Sequence, residues 1–254
     1  MAHQELIQQW LEEEKTAHIK GWDFSHIADR YEEAQDLPWS YRETVCRYLT
    51  PDAMLLDMDT GGGEFLLSLH HPWKNTCATE GFPPNVRLCR ETLLPLGIDF
   101  READCGKSLP YGDNCFDVVI NRHGNFQAEE IFRVLKPGGV FITEQVGAEN
   151  DRDLARMLLP APIAPPFPEQ YLNIASEKFR KAGFSLLEAD EAFRPIRFRD
   201  VGALVWFAHI IEWEFPGFSV MDSLDQLLRL QAVLEKDGVI EGRMHRFLLV
   251  ARKT

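Results

Sequence analysis

The sequence predicts an α/β protein with a doubly wound, mostly parallel sheet of seven strands and a helical cap inserted before the last strand. Short apolar segments alternate with amphipathic helical segments through most of the chain. A glycine cluster follows the first of these strands, and acidic or amide residues stand at the ends of successive strands. Strands that alternate with helices form a parallel sheet covered on both faces, and ligands bind such sheets at the carboxyl ends of the strands.

The predicted strands are short, and helical segments separate most of them. The clearest predicted helices are 85–94 and 129–135, where apolar residues recur on one side. Two further helices, 3–18 and 44–49, are predicted ahead of the sheet. The predicted strands are 54–58, 76–80, 98–102, 118–121, 139–143, 184–189 and 246–251.

The length of 254 residues fits a single α/β domain, residues 1–254, with an N-terminal helical segment at 1–43. Residues 160–168 contain five prolines, which exclude a helix interior or a central strand and indicate a stiff surface loop. Residues 195–240 are predicted as the inserted cap, two helices around a Pro-Gly turn.

Composition limits the classes of partner. The chain has 27 basic and 40 acidic residues and a net charge of −13, whereas nucleic-acid binders usually carry a positive surface. A small-molecule substrate is therefore favoured over RNA or DNA. The five cysteines form no C-x-x-C pair, which favours reduced thiols in a cytoplasmic protein and no metal site. The apolar runs are too short for a membrane span, and no oligomeric state follows from the sequence.

The most informative segment is 53–66, where an apolar run ends in Asp57 and glycines follow at 61–63. Glycine is needed where a Cβ would block a turn with positive φ or the close approach of a nucleotide-like ligand. An ordinary turn is the alternative interpretation. The dinucleotide fingerprint G-x-G-x-x-G is not matched, because Leu66 stands where the third glycine belongs.

The ordered series Asp57-x-x-x-Gly61-x-Gly63, Glu80, Asp104, LPYGDNCFDVV and RVLKPGGVFI resembles the class I S-adenosylmethionine-dependent methyltransferases. The resemblance covers roughly residues 45–190. It implies a Rossmann-like methyltransferase fold whose last strand runs antiparallel beside the sixth, an N-terminal segment over the cofactor mouth, and S-adenosyl-L-methionine as the cofactor.

The resemblance also implies roles for individual residues. Gly61 and Gly63 would let the backbone approach the cofactor, and Asp57 would hold its amino-acid end. Glu80 would accept both ribose hydroxyls, a bidentate contact that suits a carboxylate. The remaining predicted cofactor contacts are Phe82 against adenine, Asp104 and the backbone of Cys105 at the adenine amino group, and Asn121 at the same edge of the sheet.

Asp59 departs from the family pattern, which usually has glycine at this position. An aspartate side chain here can crowd the cofactor or repel its carboxylate. Aspartate also tolerates the left-handed conformation better than most residues, so a small local adjustment is the other interpretation. We therefore include Asp59 among the residues at the cofactor site.

The candidate catalytic residue is His123, which follows the fourth predicted strand, where the family places its active-site loop. A neutral imidazole there can take a proton from an oxygen or nitrogen nucleophile, and the alternative is a histidine that only contacts backbone. The predicted substrate contacts are Arg122 from the same loop, Tyr31 from the N-terminal segment, and Trp213 and Phe215 from the inserted cap. A packed cap helix is the alternative for the aromatic residues of 195–240.

The sequence thus favours an S-adenosylmethionine-dependent methyltransferase that acts on a small, partly apolar molecule at an oxygen, nitrogen or carbon nucleophile. Methyl transfer depends mainly on positioning, since the cofactor carries the reactive group. One alternative is a non-catalytic module that binds S-adenosylmethionine or S-adenosylhomocysteine. An RNA methyltransferase is the less favoured second alternative.

Overall fold

The computed structural model describes residues 2–19 and 23–254, so residues 1 and 20–22 of the predicted N-terminal segment lie outside the described residues. The chain divides into two compact units, each assembled from three stretches of sequence. The sheet unit comprises residues 38–146, 169–191 and 246–254. The helical unit comprises the described residues up to 37, with 147–168 and 192–245.

Eight strands and nine α-helices occur in the described part of the chain. The strands are β1 Tyr31–Glu33, β2 Leu55–Met58, β3 Thr76–Glu80, β4 Asp99–Glu102, β5 Phe116–Arg122, β6 Leu135–Val146, β7 Phe184–Phe198 and β8 Ile240–Lys253. The helices are α1 Ala2–Thr16, α2 Tyr41–Tyr48, α3 Glu64–Ser68, α4 Pro83–Thr92, α5 Ala128–Val134, α6 Arg152–Leu158, α7 Leu172–Lys181, α8 Val201–Ile210 and α9 Leu224–Asp237.

The sheet unit has the predicted doubly wound topology. Its strands follow the order β4-β3-β2-β5-β6-β8, with β7 on the far side of β8. The neighbours from β4 to β6 pair in parallel, and β8 runs antiparallel to β6. The last strand is therefore antiparallel as predicted, and it lies between β6 and β7. The mostly parallel α/β fold is confirmed.

Burial explains why these segments form central strands. Every residue of β2 and β3 is buried, as expected for parallel strands covered on both faces. Along β2, Leu55 packs in one apolar cluster and Leu56 in another, because successive side chains point to opposite faces of a sheet. The sheet unit thus has an apolar core on each side of its strands.

Helix α2 begins three residues before the predicted start. Its N-cap is Ser40, whose side chain accepts a hydrogen bond from the backbone N–H of Glu43 at 3.3 Å. A serine followed three residues later by a glutamate is a recognised helix-start pattern, so the sequence carried the signal for this boundary. Tyr41 and Val45 are buried on the inner side of the helix.

The helical unit has its own apolar core. Helix α8 contributes eight of its ten residues to the buried set, and α1 and α9 pack their apolar sides on the same cluster. The Pro-Gly turn between α8 and α9 is present, as predicted for 195–240. Strand β1 was not predicted; it pairs antiparallel with residues 196–198 of β7.

Strands β7 and β8 are longer than predicted. Asp190, Glu191 and Arg194 interrupt the apolar alternation after 189, yet the backbone stays extended to Phe198. The buried positions Ala192, Ile196 and Phe198 resume the alternation beyond the charged residues. In the part of the chain that the structure describes, no helix is long and apolar enough to cross a membrane.

Candidate active site

The carboxyl ends of β2, β3, β4 and β5 lie side by side in the sheet. Asp57 pairs in register with Ile120 of β5, and Glu80 pairs with Glu102 of β4. The backbone N–H of Ala103 donates to the carbonyl of Glu80 at 3.0 Å, which holds the segment after β4 beside the end of β3. The sheet therefore gathers the predicted acidic residues along one edge.

The glycine-rich loop joins β2 to α3 and follows the predicted strand–turn–helix layout. Gly61 and Gly63 have φ angles of 64° and 87°, in the region that favours glycine. A Cβ on Gly63 would lie 2.8 Å from the Leu93 side chain, whereas a Cβ on Gly61 would meet no atom within 4 Å. Gly63 is thus required by packing and Gly61 by its backbone conformation, and the space beside Gly61 is open.

Glu80 binds the glycine-rich loop directly. The backbone N–H of Gly61 donates to one carboxylate oxygen, Oε2, at 2.8 Å. The N–H groups of Gly81 and Phe82 donate to the other oxygen, Oε1, each at 2.8 Å. The side chain is only 5% exposed. Asn85 adds a weaker contact to Oε2 at 3.4 Å.

Asp57 is buried at the start of the loop. The hydroxyl of Thr60 donates to Asp57 Oδ2 at 2.6 Å and is its only hydrogen-bond partner among the described residues. Burial raises the pKa of Asp57 to about 7; the Thr60 hydrogen bond opposes this rise, and the nearby charges of Asp59 and Glu80 add to it. Burial and the neighbouring carboxylates thus both oppose ionisation of Asp57.

Asp59 occupies the left-handed conformation expected for the family's glycine, with φ 53°. The pKa of Asp59 is raised to about 6, mainly by burial and to a smaller extent by the charges of Glu80 and Asp104, while hydrogen bonds from Cys105 and Asn125 limit the rise. Its side chain contacts the loop that follows β5: a Cβ on Gly124 would lie 2.4 Å from Asp59 Oδ2. The substituted aspartate is accommodated because residue 124 has no side chain.

The other predicted adenine-side residues lie on the same edge. Phe82 is 60% exposed, so its ring is free of the core and available for stacking. Asp104 is exposed and ion-pairs with Lys107 at 3.0 Å; that hydrogen bond and the N–H of Gly106 lower its pKa. Cys105 is buried with its thiol 3.1 Å from the Thr79 hydroxyl. The contacts of these residues with a cofactor remain predictions.

Asn121 is fully buried and organises the end of β5. Its side-chain amide donates to the carbonyl of Met58 at 3.1 Å and accepts from Gln145 Nε2 at 2.7 Å. The Tyr41 hydroxyl donates to its backbone carbonyl at 3.1 Å. Asn121 therefore holds β2, β5 and β6 together at the site, and a direct cofactor contact remains a prediction. The part played by Gln145 was not predicted, because no motif marks it.

His123 has φ 59° and lies next to the Glu144 side chain, with His123 Nε2 3.8 Å from Glu144 Oε1. Desolvation, and after it the positive charges of Arg246 and Arg122, lower the pKa of His123 below its usual range. The imidazole, 38% exposed, is therefore neutral near pH 7 and accepts a proton reluctantly. Arg122 is held by Glu144 at 3.2 Å, and Trp39 donates to the same carboxylate at 2.8 Å.

The remaining predicted substrate residues belong to the helical unit. Phe215 is 1% exposed and packs against Phe207 with ring centroids 6.1 Å apart. Tyr31 packs against Phe198 at 5.4 Å and hydrogen-bonds Glu33. Trp213 is exposed on its unit's surface. Their contacts with a substrate remain predictions.

Two cavities add to this description. One, of about 460 Å³, lies in the helical unit between α6 and the start of β8, and none of its lining residues was predicted as a site residue. The other, of about 410 Å³, lies in the sheet unit, and its lining begins at Gly124 and includes Gln145. The second cavity therefore adjoins the loop that carries His123.

Residues 56–143 match the protein family described as "Methyltransferase domain". This range contains the glycine-rich loop, Glu80, Asp104, Asn121 and the loop after β5. No curated protein is similar enough in sequence to match the chain. The family match and the fold together identify residues 56–143 as a class I methyltransferase domain.

Solved structures agree on the fold. A putative methyltransferase from Bacillus halodurans C-125 has 17% identity and a TM-score of 0.57, with 84% of this chain and 98% of that chain covered. A functionally unknown protein from Deinococcus radiodurans R1 has 15% identity and a TM-score of 0.57, with 88% and 91% covered. The 4+2 cyclase SpnF has 20% identity and a TM-score of 0.51, with 89% and 88% covered. At these identities the likeness establishes the fold alone.

Proposed function

We propose that this protein is an S-adenosylmethionine-dependent methyltransferase that acts on a small, partly apolar molecule at an oxygen, nitrogen or carbon nucleophile. The observation that carries the proposal is the carboxyl edge of the sheet, where Glu80 binds the backbone of the glycine-rich loop beside Asp57 and Asp104. Three acceptors from separate strand ends thus surround a loop with open space beside Gly61.

The residues present fit the cofactor's adenosyl and ammonium groups. Asp57 uses one carboxylate oxygen for Thr60, which leaves acceptor capacity for an ammonium. Glu80 can exchange its 3.4 Å contact with Asn85 for a ribose hydroxyl, and the exposed ring of Phe82 can stack on adenine. An ionised Asp59 would repel the cofactor's carboxylate, whereas a protonated Asp59 would not.

When bound, the cofactor would supply an electrophilic methyl group. The chain's contribution is to orient that group, to exclude water and to accept a proton where the acceptor loses one. A neutral His123 with a lowered pKa is a weak base, so positioning is expected to supply most of the rate. The acidic residues at the carboxyl edge of the sheet can bind and orient the cofactor but supply no strong base. They therefore suit a reaction that depends mainly on positioning.

Net charge and cysteine usage support the remaining parts of the proposal. A net charge of −13 opposes binding of RNA, so a small-molecule acceptor is favoured over an RNA acceptor. The five cysteines are free thiols, in keeping with the proposed location in the cytoplasm.

The test is calorimetric titration of the purified protein with S-adenosylmethionine. Glu80→Ala should weaken binding about a hundredfold or more, because charge-assisted hydrogen bonding to the ribose is lost together with the acceptor that holds the glycine-rich loop. Glu102→Ala is the matched control: Glu102 pairs in register with Glu80 but is exposed and bound to Arg90.

Binding by wild type and Glu102→Ala, with weak binding by Glu80→Ala, supports the proposal. Thermal unfolding of each variant separates a binding defect from a folding defect, since Glu80→Ala also leaves the Gly61, Gly81 and Phe82 N–H groups without their acceptor. Equal affinities for Glu80→Ala and wild type would contradict the assignment.

The alternative, a non-catalytic binding module, is motivated by Asp59 and by the weak base at His123. A candidate acceptor that is methylated by wild type and not by a Glu80→Ala variant would exclude it. Tight binding of S-adenosylhomocysteine with none of S-adenosylmethionine would favour it.

A further inference from the structure

The cavity beside the loop after β5 has the size of a ligand site. Its volume of about 410 Å³ falls within the range of small-molecule pockets, roughly 300–1,000 Å³. Its walls come from the sheet unit alone: residues 124–129, residues 169–170, helix α7, the end of β6 and the middle of β8. The cavity therefore stands on the carboxyl edge of the same sheet that carries Asp57 and Glu80.

Part of the lining is apolar. Ala128, Ala175 and Phe247 are buried members of the sheet-unit core, and Phe126 packs against Phe141 with ring centroids 5.4 Å apart. These side chains are already fixed by their packing, so the apolar surface is formed before a ligand arrives. A flat, apolar molecule would bury surface here without ordering new side chains.

Gln145 supplies a polar group that the fold itself does not use. The side chain is 3% exposed. Its Nε2 donates to Asn121 Oδ1 and Thr143 Oγ1, each at 2.7 Å, and to the carbonyl of Gly124 at 3.2 Å. The Asn121 side-chain oxygen and the Gly124 carbonyl can only accept, so these two contacts fix which end of the amide carries nitrogen. Among the described residues no hydrogen bond uses Gln145 Oε1, although the residue lines the cavity.

An amide oxygen that accepts no hydrogen bond from the protein and belongs to a residue lining a cavity can accept one from a ligand, so this position favours a ligand with an N–H or O–H group. The charged residues around the cavity also favour an uncharged ligand over an anionic one. Lys178 is ion-paired with Glu169 at 2.5 Å, and Glu129 adds a further negative charge. An anionic ligand would therefore meet a net negative lining.

We propose that this cavity binds the acceptor molecule, and that the acceptor is an uncharged, partly apolar compound that donates an N–H or O–H hydrogen bond to Gln145 Oε1. Gly124 and Asn125 line the cavity and also contact Asp59 of the glycine-rich loop, which brings the cavity next to the cofactor site. The term "acceptor" rests on the proposed methyltransferase function, whereas binding in the cavity does not.

The experiment uses three probes: indole, which has an N–H donor; N-methylindole, which lacks it; and an indole carboxylate, which is anionic. Affinities are measured by ligand-observed NMR and calorimetry on the full chain, with and without S-adenosylmethionine. Wild type should bind indole about tenfold more tightly than N-methylindole, the ratio expected for one hydrogen bond, and the carboxylate more weakly than indole.

Gln145→Met should remove the preference for indole over N-methylindole. The matched control is Gln170→Met, which makes the same change at another lining residue and should keep the preference. A merely structural effect of Gln145→Met would weaken both probes equally and leave their ratio unchanged. Ala175→Leu, which fills the cavity from α7, should weaken both probes about tenfold or more.

A preference that wild type and Gln170→Met share and Gln145→Met lacks supports the inference. The inference is overturned if wild type binds neither indole nor N-methylindole, binds these two equally, or binds the indole carboxylate best. It is also overturned if Gln145→Met keeps the preference for indole or if Ala175→Leu leaves both affinities unchanged. A separate titration with S-adenosylmethionine keeps the two proposals distinct, because its failure would count against the methyltransferase and leave the cavity result standing.

Discussion

Asp59 is the residue that most changes what the glycine-rich loop can bind. The loop keeps the backbone of a glycine at this position, with φ 53°, but adds a carboxylate next to Asp57 and Glu80. A negative charge here attracts a sulfonium or ammonium and repels a carboxylate. The contact of Asp59 with Gly124 shows that the surrounding loop has a space that suits this side chain.

Replacing Asp59 with glycine should tighten S-adenosylmethionine binding about tenfold or more, because the repulsion of the ligand's carboxylate is removed. Calorimetry at pH 8, where Asp59 is ionised, measures the effect. His70→Gly is the control, since His70 has the same φ of 53° and lies outside the predicted site. Weaker binding by Asp59→Gly would show that Asp59 contributes to the natural site, and unchanged binding would contradict the predicted repulsion.

Asp57 should make stability depend on pH. Its pKa is about 7 in the folded protein against an ordinary value of 3.8, so the folded state holds a proton that the unfolded chain releases between these values. The favourable contribution is therefore complete below about pH 4 and is lost as the pH rises to about 7. The free energy of unfolding should fall by up to about 4 kcal/mol over that interval from this group alone.

Asp57→Asn removes this contribution, because an amide cannot ionise and can still accept from Thr60. Urea unfolding of wild type and variant at several pH values from 5 to 8 compares the two slopes. The variant should gain stability relative to wild type as the pH rises. Parallel curves would mean that Asp57 is ionised in the folded protein throughout that range.

At the level of elements, the site depends on two loops that touch. The glycine-rich loop after β2 and the loop after β5 meet at Asp59 and Gly124, and Asn121 ties the end of β5 to the carbonyl of Met58. Parallel pairing places the carboxyl ends of these strands together, so the fold brings the loops into contact. The sequence identified both loops, but their contact depends on side-chain packing.

Gly124→Ala should therefore disturb both loops. The new Cβ would lie 2.4 Å from Asp59 Oδ2 and 2.7 Å from Asn121 Nδ2, so the loop must shift, at a cost of about 1–3 kcal/mol. In a double-mutant cycle, Asp59→Gly should relieve part of this cost, and the two changes should not be additive. Gly112→Ala is the control, because its nearest neighbour is at 3.5 Å, an ordinary contact. Additive effects would contradict the predicted contact.

At the level of the whole molecule, each unit is built from three separate stretches of sequence, so neither can be removed as one continuous piece. The helical unit contains a buried ion pair between Arg152 and Glu214, each 3% exposed. Arg152 also donates to the backbone carbonyl of Glu214 at 3.0 Å. Glu214, which stands between the predicted substrate contacts Trp213 and Phe215, is thus engaged within its own unit.

Glu214→Gln should destabilise the protein by about 3–5 kcal/mol, because it leaves the Arg152 guanidinium buried without its carboxylate. The double variant Arg152→Met, Glu214→Leu should recover most of this loss, since both charges are removed together. Chemical unfolding measures both variants. A loss below 1 kcal/mol for Glu214→Gln would mean that water reaches the guanidinium.

The sequence determined the architecture and one edge of the site. Alternation of apolar and helical segments predicted the parallel sheet. The end of each apolar run also predicted the end of a strand, which placed Asp57, Glu80 and Asp104 at strand ends. The Ser40–Glu43 helix start was also readable. These features depend on neighbours in the chain, so a pattern within a short window is enough to indicate them.

Tertiary structure alone decided the contacts between distant segments. The pairing of Asp59 with Gly124, the network from Asn121 to Gln145, and the cavity lined by Gln145 join residues that are far apart in the chain. The same holds for the lengths of β7 and β8 and for the pairing of β1, where neighbouring strands keep charged segments extended. Such features follow from three-dimensional packing and burial, which local patterns do not encode.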